Sequence, residues 1–338
     1  MKIFDKYLIG SFLKNFLILI GLFSLIITSS QLLHLPSFAY SMNIIDFIKL
    51  LFLVDISFIK YQILFAFFIS WLLVGVSLRD KNEIYAIYSA GISKKQLLKS
   101  VFITTVIFTV IAFIFSTVIV PSANRERYKF LTYKVKNYIL ENVSPKNFSK
   151  INDNVSVYVE NKDKNTFYNI LIYNSSNGYL ITAKEGVFIS NNLILKDGYI
   201  QLPSQRSFDT IKYEKYTFSL DVSYIKEVSI QDFRTKELLD LAFEEGNGKI
   251  LSILADRFYF IIPFIFLGFI GFISGISTYR SKETLLTFAI GLSIGYMILN
   301  YYFLKLIEMF SILFFLYPLL LILIFYLLYK FLDKMKFS

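Results

Sequence analysis

Residues 15–45 read NFLILIGLFSLIITSSQLLHLPSFAYSMNII, thirty-one positions without an Asp, Glu, Lys or Arg. A bilayer core of roughly 30 Å is crossed by about 20 apolar residues in helical conformation, so this run spans with residues to spare. No small-residue cleavage pattern follows soon after it, so it is expected to stay in the chain as a span and not to act as a signal peptide. Working outward, five more charge-free runs follow: 61–78, 100–124, 258–279, 284–304 and 309–329. Three spans are thus expected before residue 125 and three after 257, with a polar block between them.

The composition agrees. Of 338 residues, 55% are apolar, 18% aromatic and only 18% charged, against about 25% charged in a soluble domain. This excludes a plain soluble globule, and disorder, which needs high charge and low hydrophobicity. The chain has no Cys and a single His. Disulfides, thiolate metal sites and cysteine nucleophiles are excluded, and any catalytic triad would have to use His34.

The net charge of +10 is unevenly placed. Segment 125–249 is near balance, with 18 basic and 16 acidic residues, while the flanking parts hold 17 and 9. The positive excess therefore lies beside the apolar runs, which suits membrane headgroups and a cytoplasmic-side bias, not nucleic acid. With the N-terminus in the cytoplasm, segments 1–14, 79–99, 280–283 and 330–338 are inside and hold thirteen Lys and Arg; the short outside loops hold only Lys305. The bias predicts cytoplasmic N- and C-termini and places 125–249 outside the cytoplasm.

That middle block alternates apolar and polar residues. In Asn154–Glu160, Val155, Val157 and Val159 alternate with Ser156 and Tyr158. Similar runs occupy 166–173, 179–183, 186–190, 193–196, 199–202, 208–213 and 216–222, with turn signals between them, Asp197-Gly198 among these. Many short strands at this spacing predict an antiparallel sandwich or open barrel. Helices are expected at 125–141 and 235–245, the second ended by Gly246. The expected fold class is therefore an α+β membrane protein: transmembrane helices 1–3 in 1–124, an antiparallel β domain of the sandwich or jellyroll kind in 125–249, and transmembrane helices 4–6 in 250–338.

Little in the sequence points to catalysis. Gly246-Asn247-Gly248-Lys249 lacks the leading glycine of a phosphate loop and has Ile250 where Ser or Thr is required; a helix end followed by a linker accounts for it. His34 stands beside Pro36 at the end of span one, an interfacial position. No enzyme, cofactor or metal site is expected.

The loop 79–99 is the most informative polar segment. Asp80 and Glu83 have the spacing of a capping box, Ile84, Ile87 and Tyr88 form an apolar stripe, and Gly91 suits a left-handed helix end. Ser93 and Gln96 repeat the capping spacing at the start of span three. A short amphipathic helix at about 80–90 is expected. Either it lies on lipid, or it docks into a groove of a cytoplasmic partner such as an ATPase, with Glu83 meeting an Arg there. Small residues mark spans four and five: Gly268, Gly271 and Gly275 in one, Gly291 and Gly295 in the other. They permit close helix approach, within the chain or between chains.

Several of these strings resemble one family. Asp5-Lys6-Tyr7-Leu8 opening span one, residues 77–93 with their Arg-Asp-x-x-Glu and Ser-Ala-Gly-Ile-Ser strings, Val120-Pro121 closing span three, Ala183-Lys184-Glu185-Gly186 and Leu195-Lys196-Asp197-Gly198-Tyr199 are similar to those of the LptF/LptG permeases of the lipopolysaccharide export ABC transporter. With the 3+3 layout, the resemblance covers essentially the whole chain. It implies an inner-membrane subunit that pairs with a second permease of the same family and seats a cytoplasmic ATPase dimer on its short helices. Lipopolysaccharide would pass from the outer leaflet of the inner membrane to a periplasmic jellyroll bridge protein. Gln31 and His34 stand where the family often carries basic residues toward lipid phosphates. Val155, Val157 and Val159 would line the acyl-chain path of the β domain, and Gly291 and Gly295 the seam toward the second permease. Two other readings are a non-transporting envelope scaffold or sensor and another lipid- or lipoprotein-release permease. The usual 1+3 layout of release permeases differs from the 3+3 layout here.

Overall fold

Residues 3–35, 39–40, 42–142, 145–150, 155–163, 166–189, 192–203, 208–219, 230–276 and 281–334 are described by the structure, a computed structural model. Helix α1 covers Ile3–Leu32, α2 Ile44–Asp80, α3 Glu83–Ser89 and α4 Lys94–Ile114. Helix α4 continues through one π-helical turn, Phe115–Ile119, into α5, Val120–Asn142. Six strands follow, β1 Phe148–Lys150, β2 Val155–Asp163, β3 Thr166–Asn174, β4 Tyr179–Ile189, β5 Asn192–Pro203 and β6 Phe208–Ser219. The chain then forms α6 Thr235–Glu245, α7 Gly248–Tyr259, α8 Ile262–Ile276, α9 Lys282–Met309 and α10 Leu313–Lys334.

Among the described residues, six helical stretches are long and apolar enough to cross a membrane: Phe4–Leu32, Ile44–Asp80, Lys94–Lys134, Gly248–Ile276, Lys282–Met309 and Leu313–Leu332. The helices outrun the charge-free runs. Helix α2 takes in Lys49, Asp55 and Lys60, and the fourth stretch takes in Asp256 and Arg257. Charge alone does not end a helix when the charged groups find partners within it or beside it.

The chain divides into two compact units, 1–35 with 48–125 and 228–338, and 36–47 with 126–227. The sheet-bearing part of the second unit, 126–227, starts one residue from the expected 125–249 insert and ends before its expected helix at 235–245. Helix α6 belongs to the first unit because its Leu238 is fully buried with Ile250, Ile253 and Leu254 of α7. The segment after span one belongs to the second, where Met42 packs on the sheet's core and Asp46 pairs with Lys134.

In the first unit, α2 and α8 approach at backbone distance. A Cβ added to Gly75 would stand 2.6 Å from Phe272 O, one on Gly271 2.6 Å from Phe68 O, and one on Gly275 2.3 Å from Leu72 O. Only hydrogen fits at these three positions, the membrane use of small residues. Around the seam the rings interlock. Phe12 stacks on Trp71 at 4.8 Å and meets Phe67 and Phe108 edge-on, and Trp71 meets Phe272 edge-on. Each such pair adds about 0.5–1.5 kcal/mol beyond burial.

The second unit is one antiparallel sheet with its described strands in chain order, β1-β2-β3-β4-β5-β6. The expected antiparallel β domain is present, but the expected short runs fuse into longer strands. The pairs 179–183/186–190, 193–196/199–202 and 208–213/216–222 become β4, β5 and β6; positions 190 and 220–222 of those runs lie outside the described residues. The reason is a crease. Glu160, Asn169, Lys184, Asp197 and Glu214 each fall between bridging pairs and line up across β2 to β6. Asn169 and Asp197 take positive φ of 50°, a backbone state that Asn and Asp tolerate. Inward positions shift phase across this row: Val155, Val157, Val159, Ile181, Ala183 and Ile200 on one side give way to Phe167, Gly186 and Leu195 on the other. Asp197-Gly198 is therefore a bend inside β5 and not a turn between strands. Gly198 is obligatory there, because a Cβ would stand 1.8 Å from Thr182 O. Above it, Tyr213 OH donates to Thr182 O at 2.6 Å, joining β6 to β4 across β5.

Candidate functional site

The first unit encloses a cavity of about 560 Å³ lined in part by Lys60, Ser116, Asn124, Asp256, Arg257 and Asn300. Its wall carries an ion pair between two of the spanning stretches. Lys60 Nζ lies 2.5 Å from Asp256 Oδ2, and its ammonium also sits 4.9 and 5.0 Å from the ring centroids of Tyr61 and Phe260. Asn300 Nδ2 donates to the other Asp256 oxygen at 3.2 Å, and Tyr317 OH donates to Asn300 Oδ1 at 2.6 Å. Helices α2 and α9 thus meet the α7 carboxylate, and α10 joins them through Asn300. Charges inside a membrane are expensive, pair with one another and mark functional places. Ser116 Oγ and Asn124 Oδ1 are buried at the cavity wall without a hydrogen-bond partner among the described residues. The cavity is a polar hollow that can take water or a polar ligand group.

A second polar knot adjoins it. Pro121 has no N–H, so the carbonyl of Thr117, four residues earlier, has no helical donor from it. The π-helical turn lies there, and Thr235 Oγ1 donates to the Thr117 carbonyl instead. Arg257, only 4% exposed, donates from Nη1 to Thr235 Oγ1 at 2.9 Å and from Nη2 to Gln231 O and Phe233 O at 2.7 and 2.8 Å. One guanidinium therefore ties α7, the chain before α6 and the α4–α5 turn together. Nearby, Glu237 of α6 accepts from the Arg234 backbone N–H and from Arg125, and these contacts hold its carboxyl below the usual carboxylate range.

The short helix exists but differs at its start from the capping-box expectation. Asp80 is the last residue of α2 and bonds Arg79; it does not cap α3. Asn82 stands at the N-cap with φ 56° and no side-chain cap bond. The close is as expected. Gly91, with φ 77°, donates its N–H to Tyr88 O, and Ile92 donates to Ile87 O, the paired bonds of a Schellman motif. Ser93 N–H donates to Gln96 Oε1 at 3.1 Å as α4 begins. The stripe also needs correction. Ile84 and Ile87 are buried in this chain's own core, 3% and 9% exposed. They anchor α3, and the outward face is Tyr85, Ala86, Tyr88 and Ser89. Glu83 Oε2 accepts from Tyr7 OH of α1 at 2.8 Å, with Lys81 Nζ 4.0 Å from the other oxygen.

The remaining expected residues are scattered. Gln31 is in the last turns of α1, and His34 follows in a turn, its N–H bonded to Gln31 O. Val155, Val157 and Val159 are buried in the β unit. Among the described residues, nothing lies within 4 Å of a Cβ added to Gly291 or Gly295, and no close helix contact forms there. Lys60, Asp256, Arg257 and Asn300 were not expected as a site. Their only signal was a polar residue in each of several apolar helices.

Six helices able to span a membrane, an antiparallel sheet inserted in the chain between the third and fourth, and a short helix between the second and third define a multi-pass membrane protein. The chain belongs to the lipopolysaccharide export system permease LptF/LptG family, whose profile it matches over residues 6–332. No curated protein sequence matches the chain closely.

Proposed function

We propose that the chain is one of two permeases of an ABC transporter that draws lipopolysaccharide from the outer leaflet of the inner membrane. The observation that carries the proposal is the family match over nearly the whole chain, on a chain with six spans and a short helix between two of them. In this reading both termini and α3 face the cytoplasm, as the thirteen-to-one bias of basic residues indicates. An ATPase dimer seats on the outward face of α3, with Tyr85 and Tyr88 as its aromatic anchors. Ile84 and Ile87 support that face from beneath, in place of the groove contact their spacing suggested.

The lipid leaves through the β unit, whose apolar side carries Val155, Val157 and Val159, and passes to a periplasmic bridge protein of the same jellyroll kind. Each CH₂ moved into water would cost about 0.8 kcal/mol, so an energy source and an apolar acceptor are both needed. Gln31 and His34 lie on the entry path. Gly291 and Gly295, open on the α9 surface, form part of the seam with the second permease.

The test is purification from the native membrane with a tag on this chain. Recovery of an ATPase and a second permease, and ATP-dependent release of lipopolysaccharide from proteoliposomes, is the expected outcome. A chain that purifies alone and releases no lipid would overturn the proposal.

A further inference from the structure

Helix α1 is held at one end. Near its start, Ser100 Oγ of α4 donates to Asp5 Oδ1 at 2.8 Å in a buried contact, Leu8 and Phe12 are fully buried, and Tyr7 OH reaches Glu83 at 2.8 Å. Further along, Leu22, Leu25, Ile26 and Leu33 are exposed, Leu25 by 71%. Gly21 has open space where a side chain would start. The helix is 30 residues long, about 45 Å at 1.5 Å per residue. Its foot is fixed, Phe23 still meets Phe65, and the side of its far end that carries Leu25 and Ile26 is exposed.

Helix α3 meets that foot as a short block. It is bounded by the left-handed residues Asn82 and Gly91, and Ile84 and Ile87 root it in the core. Glu83 is its first residue, and its carboxylate is aimed at α1.

We propose that Tyr7 is a positioning residue that ties α3 to α1, so that displacement of α3 by its partner tilts α1. The inference rests on the reading of α3 as the ATPase-docking helix. It assigns Glu83 an inward role as the acceptor for Tyr7 through one of its two carboxylate oxygens. A tilt of about 5° at the foot moves the far end by roughly 4 Å. One hydrogen bond to a carboxylate biases the joined arrangement by roughly ten-fold.

The absence of cysteine allows a clean test. Spin labels on Leu25→Cys and Val118→Cys, both exposed in the first unit, report the position of the far end of α1. Distances are measured by pulsed electron resonance in nanodiscs containing the full complex, nucleotide-free and trapped with ATP and vanadate. The parent is expected to show a nucleotide-dependent shift of roughly 2–3 Å, the same tilt acting over the roughly 27 Å from Tyr7 to Leu25. Tyr7→Phe, which removes one oxygen from a half-exposed ring, is expected to remove at least half of that shift while the ATPase still copurifies. Glu83→Gln keeps an acceptor oxygen and is expected to keep more of the shift than Glu83→Ala. An unchanged shift in Tyr7→Phe, or no shift in a parent that does bind the ATPase, overturns the tie and leaves the docking reading standing. If Glu83→Gln loses the ATPase while Tyr7→Phe behaves as the parent, Glu83 faces the partner and the tie is again overturned. Failure of the parent to copurify an ATPase removes the docking reading, and the tie with it.

Discussion

Helices α8 and α9 carry glycines at the same four-residue spacing and use them in opposite ways. Gly271 and Gly275 of α8 have α2 backbone within 2.6 Å of where a side chain would begin, whereas Gly291 and Gly295 of α9 have nothing within 4 Å. The spacing says that a helix can be approached closely; it does not say by what. The α2–span four contact is a finished internal joint, with glycines toward one end and the Lys60–Asp256 pair toward the other. The α9 glycines face away from this chain.

The largest effect that would sharpen this contrast is at the polar end of the joint. Lys60→Met strands the Asp256 carboxylate, and breaking a buried pair costs about 3–5 kcal/mol. Thermal unfolding of the detergent-solubilised chain should show it, and Lys60→Met with Asp256→Leu should recover most of the loss. If the double variant is no better than the single one, the carboxylate has other work in the cavity.

Next comes Gly275→Leu, expected to cost about 3 kcal/mol or more through overpacking and to appear as lost monodisperse protein in size-exclusion chromatography. In the β unit, Gly198→Ala meets Thr182 O and should destabilise by about 1–3 kcal/mol, read as earlier loss of protease resistance in segment 126–227. Gly291→Leu and Gly295→Leu should change the stability of the isolated chain by less than about 0.5 kcal/mol; their effect is expected on recovery of the second permease. A stability loss as large as that of Gly275→Leu would erase the distinction between the two helices.

A smaller effect concerns alkaline pH. Burial, with Tyr216 nearby, pushes the Tyr213 hydroxyl up to about 12 from 10.0. A raised folded-state value means that its contribution is complete below pH 10 and is lost as pH rises from about 10 toward 12. Tyr213→Phe should flatten that part of the pH–stability curve of the β unit. An unchanged curve would show that the hydroxyl's bond to Thr182 carries little.

Much of this was legible in sequence because it is local. Charge-free runs marked all six spans, and alternation marked the strands. Even the breaks in alternation at 184–185, 197–198 and 214–215 had a physical source, the crease, though they looked like strand ends. Local spacing misled at Asp80 and Glu83, where a capping-box pattern was outweighed by α2 running on to Asp80 and by Asn82 taking the left-handed turn. The face of α3 was misassigned for a different reason. An apolar stripe on a short helix reads the same whether it packs on its own chain or on another. Lys60 and Asp256 lie 196 positions apart, and no window joins them.

The strand order of the β unit bears on how the protein is made. Each described strand pairs with the one before it, so every β contact is a hairpin contact of short sequence separation. Such contacts close cheaply and form fast. All six strands end by Ser219, before α7 begins at Gly248. A chain lengthening at about 5–20 residues per second can therefore complete this sheet while the last three spans are still being synthesised. The edges of its inner strands would be paired before the second half of the membrane unit arrives to fold.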